Sequence, residues 1–385
     1  MTIRIVATAD NHLDISSMKY GAKKEERRKD FKRSFEQIVE YALKNKAQVF
    51  LQGGDLFDSM APSNSTRAWT MREFRRLHEA GIFVFVVSGH HDTPRGITTG
   101  ASPLKTHGDS GHILFFENPS QPESQTIEID GKTVQVVGIG YNPTLFPDQD
   151  PMDVPIPPAK GDINILLVHH PISGFSGYIG DEPSVDPKKI PEGYQLVVAG
   201  HFHSPQHKRI KETTVIYPGS SERVDFHEET GDKSFSWIEV NDQGKIVVRQ
   251  VPLTTRTLKT EAVRVSPGDD ISQVVRSRIE KLANPELICR VQLEGTIPAE
   301  TLATYKRTPL QRYGDEVLFK VFIEESGLHI EGPAHIEPID SANPDEELLH
   351  YFEAKLEDVK SDEERRIVEN AKKLCLEKLE EVRGS

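Results

Sequence analysis

The chain has 385 residues, 36% of them hydrophobic and 28% charged, with a mean hydropathy of −0.49. At ~100–200 residues per domain this length predicts two or three domains, and no apolar run approaches the ~18–20 residues of a membrane-spanning helix. The net charge of −13 argues against a uniformly basic surface for nucleic acid, although residues 340–385 alone hold 14 acidic against 8 basic side chains and so carry −6 of that total.

The opening MTIRIVATAD is too short and too soon polar for a secretory leader. It reads instead as the first of five short β-branched runs: IRIVATAD, AQVFLQGGD, IFVFVVSGHHD, INILLVHHP and YQLVVAGHFH. Continuous apolar runs bounded by turn residues read as buried strands. Between the first three lie amphipathic stretches: Asp30–Leu43, with Phe31, Phe35, Ile38, Val39 and Ala42 at helical spacing, and Ser65–Ala80, with Ala68, Met71, Phe74 and Leu77. Strand–helix alternation predicts an α/β layered domain with parallel pairing. TTVIYPGS, KSFSWIEV and KIVVRQVP read as a second sheet or meander.

A break at TTRTLKT (254–260) precedes a small α+β unit. It reads as strand EAVRV, helix DISQVVRSRIEKLA, strand LICRVQLEG, a helix around 299–306 and strand EVLFKVFIEE. SANPDE (341–346) then reads as a linker. Two amphipathic helices follow, one with Leu348, Leu349, Phe352 and Leu356, the other with Ile367, Val368, Ala371, Leu374 and Leu379. Cys289 and Cys375 stand 86 positions apart, form no CxxC pair, and fit a reducing cytoplasmic setting rather than a disulfide framework.

The five strand ends carry Asp10 and His12, then Asp55, then His90, His91 and Asp92, then His169, then His201 and His203. Open α/β sheets bind ligands beyond the carboxyl ends of their strands. Residues two apart in an extended tail point the same way, so D-x-H and H-x-H present paired ligands. Mixed carboxylates and imidazoles in this number exceed one ion's needs and suit two ions bridged by a carboxylate, about 3.5–4 Å apart. The donor mixture favours Mn²⁺, with Fe²⁺ or Zn²⁺ as alternatives, over Ca²⁺.

The ordered set D-x-H, G-G-D, G-H-H-D, a lone H and G-H-x-H resembles the calcineurin-like metallophosphoesterases over residues 1 to about 250. GGDLFDSMAPS (53–63) and YPGSSERVDFHEE (217–229) resemble the SbcD-type nuclease subunit of the DNA double-strand-break repair complex. The resemblance implies a two-sheet sandwich flanked by helices over 1–255, a small α+β capping domain over 260–338, and a C-terminal helical arm over 343–385. It implies a metal-dependent DNA exo- and endonuclease that forms a homodimer and docks a coiled-coil ATPase through that arm. No G-x-x-x-x-G-K-[ST] loop occurs in the chain, so an ATPase would be a separate polypeptide.

Residue by residue, the resemblance places Asp10, His12, Asp55 and His203 on one ion. It places His90, His169 and His201 on the second, with Asp55 bridging. His91 would protonate the leaving oxygen, oriented by Asp92. One departure is His90, where the family has asparagine: imidazole is bulkier, softer and binds through nitrogen. A second is Asp58, where some relatives have a histidine that helps hold the DNA phosphate and SbcD-type sequences commonly carry aspartate. Two other readings stand beside the nuclease: a small-substrate phosphodiesterase or phosphomonoesterase, and a DNA-end scaffold with a weakened metal site. Elsewhere the bland readings lead. His170 reads as packing, Asp14 as a turn former, and His78, His107, His112, His207 and His227 as surface or loop residues. Arg223 has two readings, a phosphate contact or an ion pair with Glu222 or Glu228.

Overall fold

The computed structural model describes residues 2–16, 18–95, 100–177, 181–331, 344–357, 359 and 361–383. The first half runs β1 (Thr2–Thr8), α1 (Lys24–Lys44), β2 (Val49–Gln52), α2 (Asn64–Glu79), β3 (Phe83–Val87), α3 (Lys105–Asp109) and β4 (Leu114–Phe116). Then come β5 (Ser124–Ile129), β6 (Lys132–Ile139), β7 (Ile163–Val168), β8 (Leu196–Ala199), β9 (Gln206–Ile210), β10 (Thr213–Tyr217), β11 (Ser234–Asn241) and β12 (Ile246–Pro252). They form two six-stranded sheets, β12-β11-β1-β2-β3-β4 and β5-β6-β7-β8-β10-β9. This is the expected two-sheet sandwich.

Period-two alternation sorts each strand between two faces. Ile3, Ile5, Val49, Leu51, Phe85 and Val87 of the first sheet meet Val134, Ile165, Leu167, Leu196 and Val198 of the second in a shared core. The alternate residues Val6, Phe50, Val84 and Val86 face helices α1 and α2 through Phe31, Phe35, Ile38, Phe74 and Leu77. On the second sheet, Leu166, Val168, Val197 and Val215 are covered by loop residues such as Met152, Ile172, Phe175, Val185 and Ile190. Helices thus cover the first sheet, and loops cover the second.

Two expectations need correction. Only TTVIY joins the second sheet; β11 and β12 return to the first, β11 antiparallel to β1 in the register Ile5↔Ile238 and β12 antiparallel to β11 at its outer edge. The reason is that both faces of β11 are apolar: Ile238 and Val240 enter the core between the sheets, and Phe235 and Trp237 the helix-side core. Helix α1 starts at Lys24, not Asp30, because its first turns are held by ions. Arg27 is buried and bonds to Asp30 at 3.1 Å and to Glu222 at 3.4 Å.

Residues beyond β12 form a three-stranded sheet of β13 (Thr257–Arg264), β14 (Asn284–Pro298) and β15 (Leu318–Glu331), with α4 (Ile271–Lys281), α5 (Ala299–Thr304) and α6 (Arg307–Val317). Two compact units are distinguished. One is Met1–Val265 with Asp269–Gly295 and Tyr305–Leu328; the other is Ser266–Gly268, Thr296–Thr304 and His329–Ser385. Within the first unit, Tyr20, Leu258, Ile288 and Phe319 share one apolar cluster. In the second, α7 (Pro344–Glu357) packs on α8 (Asp362–Arg383). The first part of the expected linker, 341–343, and residues 332–338 of the expected capping domain lie outside the described residues.

His107, read above as a surface residue, is buried on α3. Its ring centroid lies 5.6 Å from Phe57 and 5.8 Å from Phe74, and neither ring nitrogen has a hydrogen-bond partner among the described residues. Burial, with the nearby Arg67 cation, pushes its pKa down to about 4. The unfolded chain therefore binds a proton here that the folded chain refuses, and stability falls as pH drops from about 6.5 towards 4. Replacing His107 by Phe should remove a loss on the order of 2 kcal/mol between pH 7 and pH 4.5. Urea unfolding of both proteins at the two pH values measures it, and equal pH slopes would refute this account.

Candidate metal centre

The loops after β1 and β2 are zipped together by their backbones. Gly53 N donates to Thr8 O at 2.8 Å, Asp10 N to Gly54 O at 3.0 Å, and His12 N to Asp55 O at 3.0 Å. Asn11 ties the same loops to a third segment: its Nδ2 donates to Thr8 Oγ1 at 2.9 Å and Ser221 Oγ at 3.1 Å. Four of the expected ligands are left-handed: Asp10 (φ 50°), His12 (45°), Asp55 (51°) and His201 (97°). Such conformations cost about 1–3 kcal/mol each in non-glycine residues and concentrate at functional sites. The side chains therefore converge by sharp turns, not along the extended tail that the D-x-H and H-x-H spacing suggested.

Two motif glycines are fixed by the same crowding. A Cβ on Gly89 would stand 2.1 Å from Asp55 Oδ1, and one on Gly54, itself left-handed at φ 93°, would stand 2.3 Å from His169 Nδ1. The close approach of the loops to one another requires glycine at both.

All seven expected ligands meet at this junction. Asp10, His12 and His203 form one group with donor atoms mutually within 4.8 Å, and His90, His169 and His201 form another. Asp55 joins further groups of that kind, with His12 and His91 and with Asp10 and His169. His201 and His203, two apart in sequence, thus divide between the groups. Asp55 is fully buried, and its Oδ2 lies 2.9 Å from His90 Nδ1 and 3.4 Å from His169 Nε2. His90 therefore brings its imidazole to the same oxygen as His169.

The hydrogen bonds decide which ring nitrogens face inward. His169 Nδ1 sits 2.7 Å from the Gly53 carbonyl, which can only accept, so it donates there and turns Nε2 to Asp55. His12 Nδ1 donates to Asp58 Oδ1 at 3.2 Å, and His203 Nδ1 to Glu228 Oε1 at 2.7 Å. Their Nε2 atoms then face each other at 3.1 Å as two lone pairs. Lone pair against lone pair, and lone pair against carboxylate, is repulsive unless a proton or a cation lies between. Burial opposes charge on both Asp55 and His169, yet their mutual attraction prevails: Asp55 is held well below the usual carboxylate range and His169 is pushed up to about 9. A site that pulls in a proton so strongly has the donor set and the charge for a divalent cation. The residues fit the ions that the sequence implied.

Other residues fall around this centre. His91 Nδ1 donates to the Asp58 carbonyl at 2.9 Å, its backbone N–H donates to Asp55 Oδ1 at 2.8 Å, and burial lowers its pKa. The expected orienting contact from Asp92 is absent. The Asp92 carboxylate instead accepts backbone N–H bonds from Gly89 at 2.6 Å, Leu56 at 2.9 Å and Phe57 at 3.3 Å. It is a fully buried knot joining the loops after β2 and β3, out of His91's reach because its oxygens point into the backbone. Arg223 turns to backbone carbonyls, those of Glu228 at 3.1 Å and Gly231 at 2.6 Å, and away from the role of a phosphate contact. Asp14 accepts from Ser63 N at 2.6 Å and Thr66 Oγ1 at 3.2 Å, bracing the start of α2. His170 packs on Tyr141 with ring centroids 5.3 Å apart.

Sequence reasoning missed Glu228 and Glu182. Glu228 also accepts from Ser220 Oγ at 3.2 Å and from the buried Lys233 ammonium. Burial opposes its charge, but His203 and Lys233 hold it at about 2. Glu182 Oε2 lies 3.3 Å from His201 Nε2. Neither has a spacing signal: Glu182 arrives from an irregular segment and Glu228 from the single 3₁₀ turn Phe226–Glu228.

The calcineurin-like phosphoesterase profile matches residues 3–205. The DNA double-strand break repair protein Mre11 of Thermoplasma acidophilum is 25% identical over 315 residues, 76% of this chain and 77% of the relative. The uncharacterized metallophosphoesterase YhaO of Bacillus subtilis is 24% identical over 288 residues, 71% of this chain and 66% of the relative. The Mre11 protein of Methanocaldococcus jannaschii is 27% identical over 221 residues, 57% of this chain and 56% of the relative.

The Asp92 knot carries its own test. Asp92→Asn keeps one acceptor oxygen but sets an amide NH₂ against a backbone N–H. It should cost about 1–3 kcal/mol in denaturant unfolding, as unsatisfied buried groups do. Unchanged stability with lost turnover would return Asp92 to a direct role beside His91.

Proposed function

The chain belongs to the calcineurin-like phosphoesterase family, and on that premise we propose that it is a two-metal phosphodiesterase that cuts DNA as an exo- and endonuclease in double-strand-break repair. The observation that carries this is Asp55, one buried carboxylate within reach of donor groups on both sides of the centre. The names of the Mre11 relatives support DNA as the substrate.

Asp10, His12, Asp55 and His203 would hold one ion, and Asp55, His90, His169 and His201 the other. Bound there, manganese, or iron or zinc in its place, supplies Lewis-acid stabilisation of phosphoryl charge and a nucleophile at neutral pH. The protein's own part is positioning. Asp55 fixes the spacing of the two ligand groups and also, through the His91 N–H, the place of the acid. His91 Nδ1 is committed to a carbonyl, so Nε2 is the atom that gives its proton to the leaving oxygen as the P–O bond breaks. The negative charge of a bound phosphodiester favours the protonated imidazole that this role needs.

The remaining parts follow the same reading. Residues 1–255 form the nuclease domain, 260–338 the capping domain and 343–385 a helical arm. On α8, Ile367 and Leu374 stand two turns apart and are 63% and 60% exposed. Helix faces of this kind dock on a partner helix, here the coiled coil of an ATPase subunit, with the nuclease domain as the homodimer contact.

The test uses full-length protein stripped with EDTA, assayed on linear duplex DNA and on bis-p-nitrophenyl phosphate with and without Mn²⁺. Cleavage of both in Mn²⁺ alone is expected. Hydrolysis of the small ester without DNA cleavage would favour a small-substrate phosphoesterase, and silence on both a scaffold with a weakened centre. Asp55→Ala should lose metal and turnover together. His91→Asn should lower the rate by about 10²–10⁴-fold with metal content unchanged, the usual worth of a general acid. His90→Asn, which restores the family's amide, should leave activity close to wild type while moving metal preference towards harder, oxygen-favouring ions. A large gain in manganese-dependent activity would show that the imidazole is a poor ligand.

A further inference from the structure

On the two-ion reading above, we infer that the two ion positions are unequal and fill in order: the position of Asp10, His12 and His203 binds first and tightly, and that of His90, His169 and His201 binds second and exchanges. The argument lies in what stands behind each imidazole. A ligating histidine whose outer N–H donates to a carboxylate is more basic and more firmly oriented than one whose N–H donates to a neutral group.

In the first group both histidines have such a carboxylate. His12 leans on Asp58, whose other oxygen accepts from Ser16 N at 2.9 Å. His203 leans on Glu228, which Ser220 and Lys233 hold in place. Both carboxylates are largely shielded, with 14% of each side chain exposed. The group also contains an anionic ligand of its own, Asp10, whose two oxygens each accept from His201 N at 3.1 Å.

The second group is built from weaker supports. His169 leans on the neutral Gly53 carbonyl. His201 is the exception in this group: its Nε2 faces the buried Oε2 of Glu182 at 3.3 Å, although that side chain as a whole is 37% exposed, and its Nδ1 has no hydrogen-bond partner among the described residues. His90, 26% exposed much as His203 is at 25%, has its Nδ1 turned to the shared Asp55. Apart from the shared Asp55, this position has no carboxylate ligand. Glu228 and Asp58 are accordingly positioning residues, acting on the ion through His203 and His12.

Calorimetric titration of EDTA-stripped full-length chain with MnCl₂ tests the order without recourse to activity. Wild type should take two ions in two resolved steps. Glu228→Gln keeps the shape and an acceptor oxygen but removes the charge, and Asp58→Asn does the same beside His12. Each should weaken the tighter step by about 10–100-fold and leave the weaker step in place, the range expected for removing such a support. Because Glu228→Gln strands the Lys233 charge, Glu228→Gln with Lys233→Met checks that the effect is not loss of fold, and it should shift the same step. Glu182→Gln should leave the tighter step untouched. Two equal steps in wild type, or Glu228→Gln and Asp58→Asn acting on the weaker step, would overturn the order while leaving two ions in place. A total of one ion or none would overturn the two-ion reading itself.

Discussion

One carboxylate sets the terms for this molecule. Asp55 is withdrawn from water, stands at the end of a core strand, and faces imidazoles that belong to two different sheets. A bare charge there would be prohibitively costly, so everything around it is arranged to supply positive charge at close range. The left-handed turns, the glycines that let the loops touch, and the backbone zipper between the first two strand ends all follow from bringing cationic or cation-binding groups to that oxygen. The sandwich provides the force for this arrangement. Its apolar face-to-face core holds the two sheets in register, and with them the two halves of the ligand set.

The centre is also wired to the helix layer. From Asn11, a hydrogen bond reaches Ser221, and the next residue, Glu222, accepts from Arg27 on α1. Arg27 pairs with Asp30, which in turn accepts from Arg256 at 2.7 Å, at the entry to the three-stranded sheet. Arg256 lies 3.6 Å over the ring of Phe319 in β15. These groups are buried, so a break at any one would strand an unpaired charge. Such a chain transmits position rather than adding net stability, because buried pairs offset much of their attraction by desolvation.

Much of this was legible in the sequence, for particular reasons. β1, β2, β3, β7 and β8 are apolar on both faces, so they appear as continuous runs whatever their partners. The ligands at their ends announced themselves by type. β9, with the sequence QHKRI, did not, because an edge strand with solvent on it has no apolar run. The first turns of α1 were hidden because their buried face is ionic, and helical periodicity of apolar residues is blind to that. The β5–β6 hairpin turns at Asp130 and Gly131, with φ of 53° and 79°. This is a two-residue signal that residues 127–134 do carry, and attention to runs ending in ligands passed over it. Which histidine joined which group was implied by the family resemblance and not by spacing, since it depends on left-handed turns at His12 and His201. The roles of Asp92 and Glu228 were not legible, because a carboxylate bonded to backbone amides or to an outer imidazole nitrogen leaves no pattern along the chain.

The uneven clothing of the two sheets bears on how such an enzyme can change. Helices cover one sheet, and apart from the residues that tie them to the strand-end loops, such as Arg27 and Asp30 on α1 and Thr66 on α2, they can drift in sequence with little effect on chemistry. The other sheet is roofed by irregular segments that supply Ile172, Phe175, Val185 and Ile190 to the core, and the same stretch of chain delivers Glu182 to His201. Lengthening or reshaping that roof to admit a different substrate would unseat core residues at once. Divergence on that side must therefore come as coordinated replacement of whole loops, whereas single substitutions suffice on the helical side. Lineages descending from this architecture should differ by blocks around residues 171–195 and by scattered points along α1 and α2.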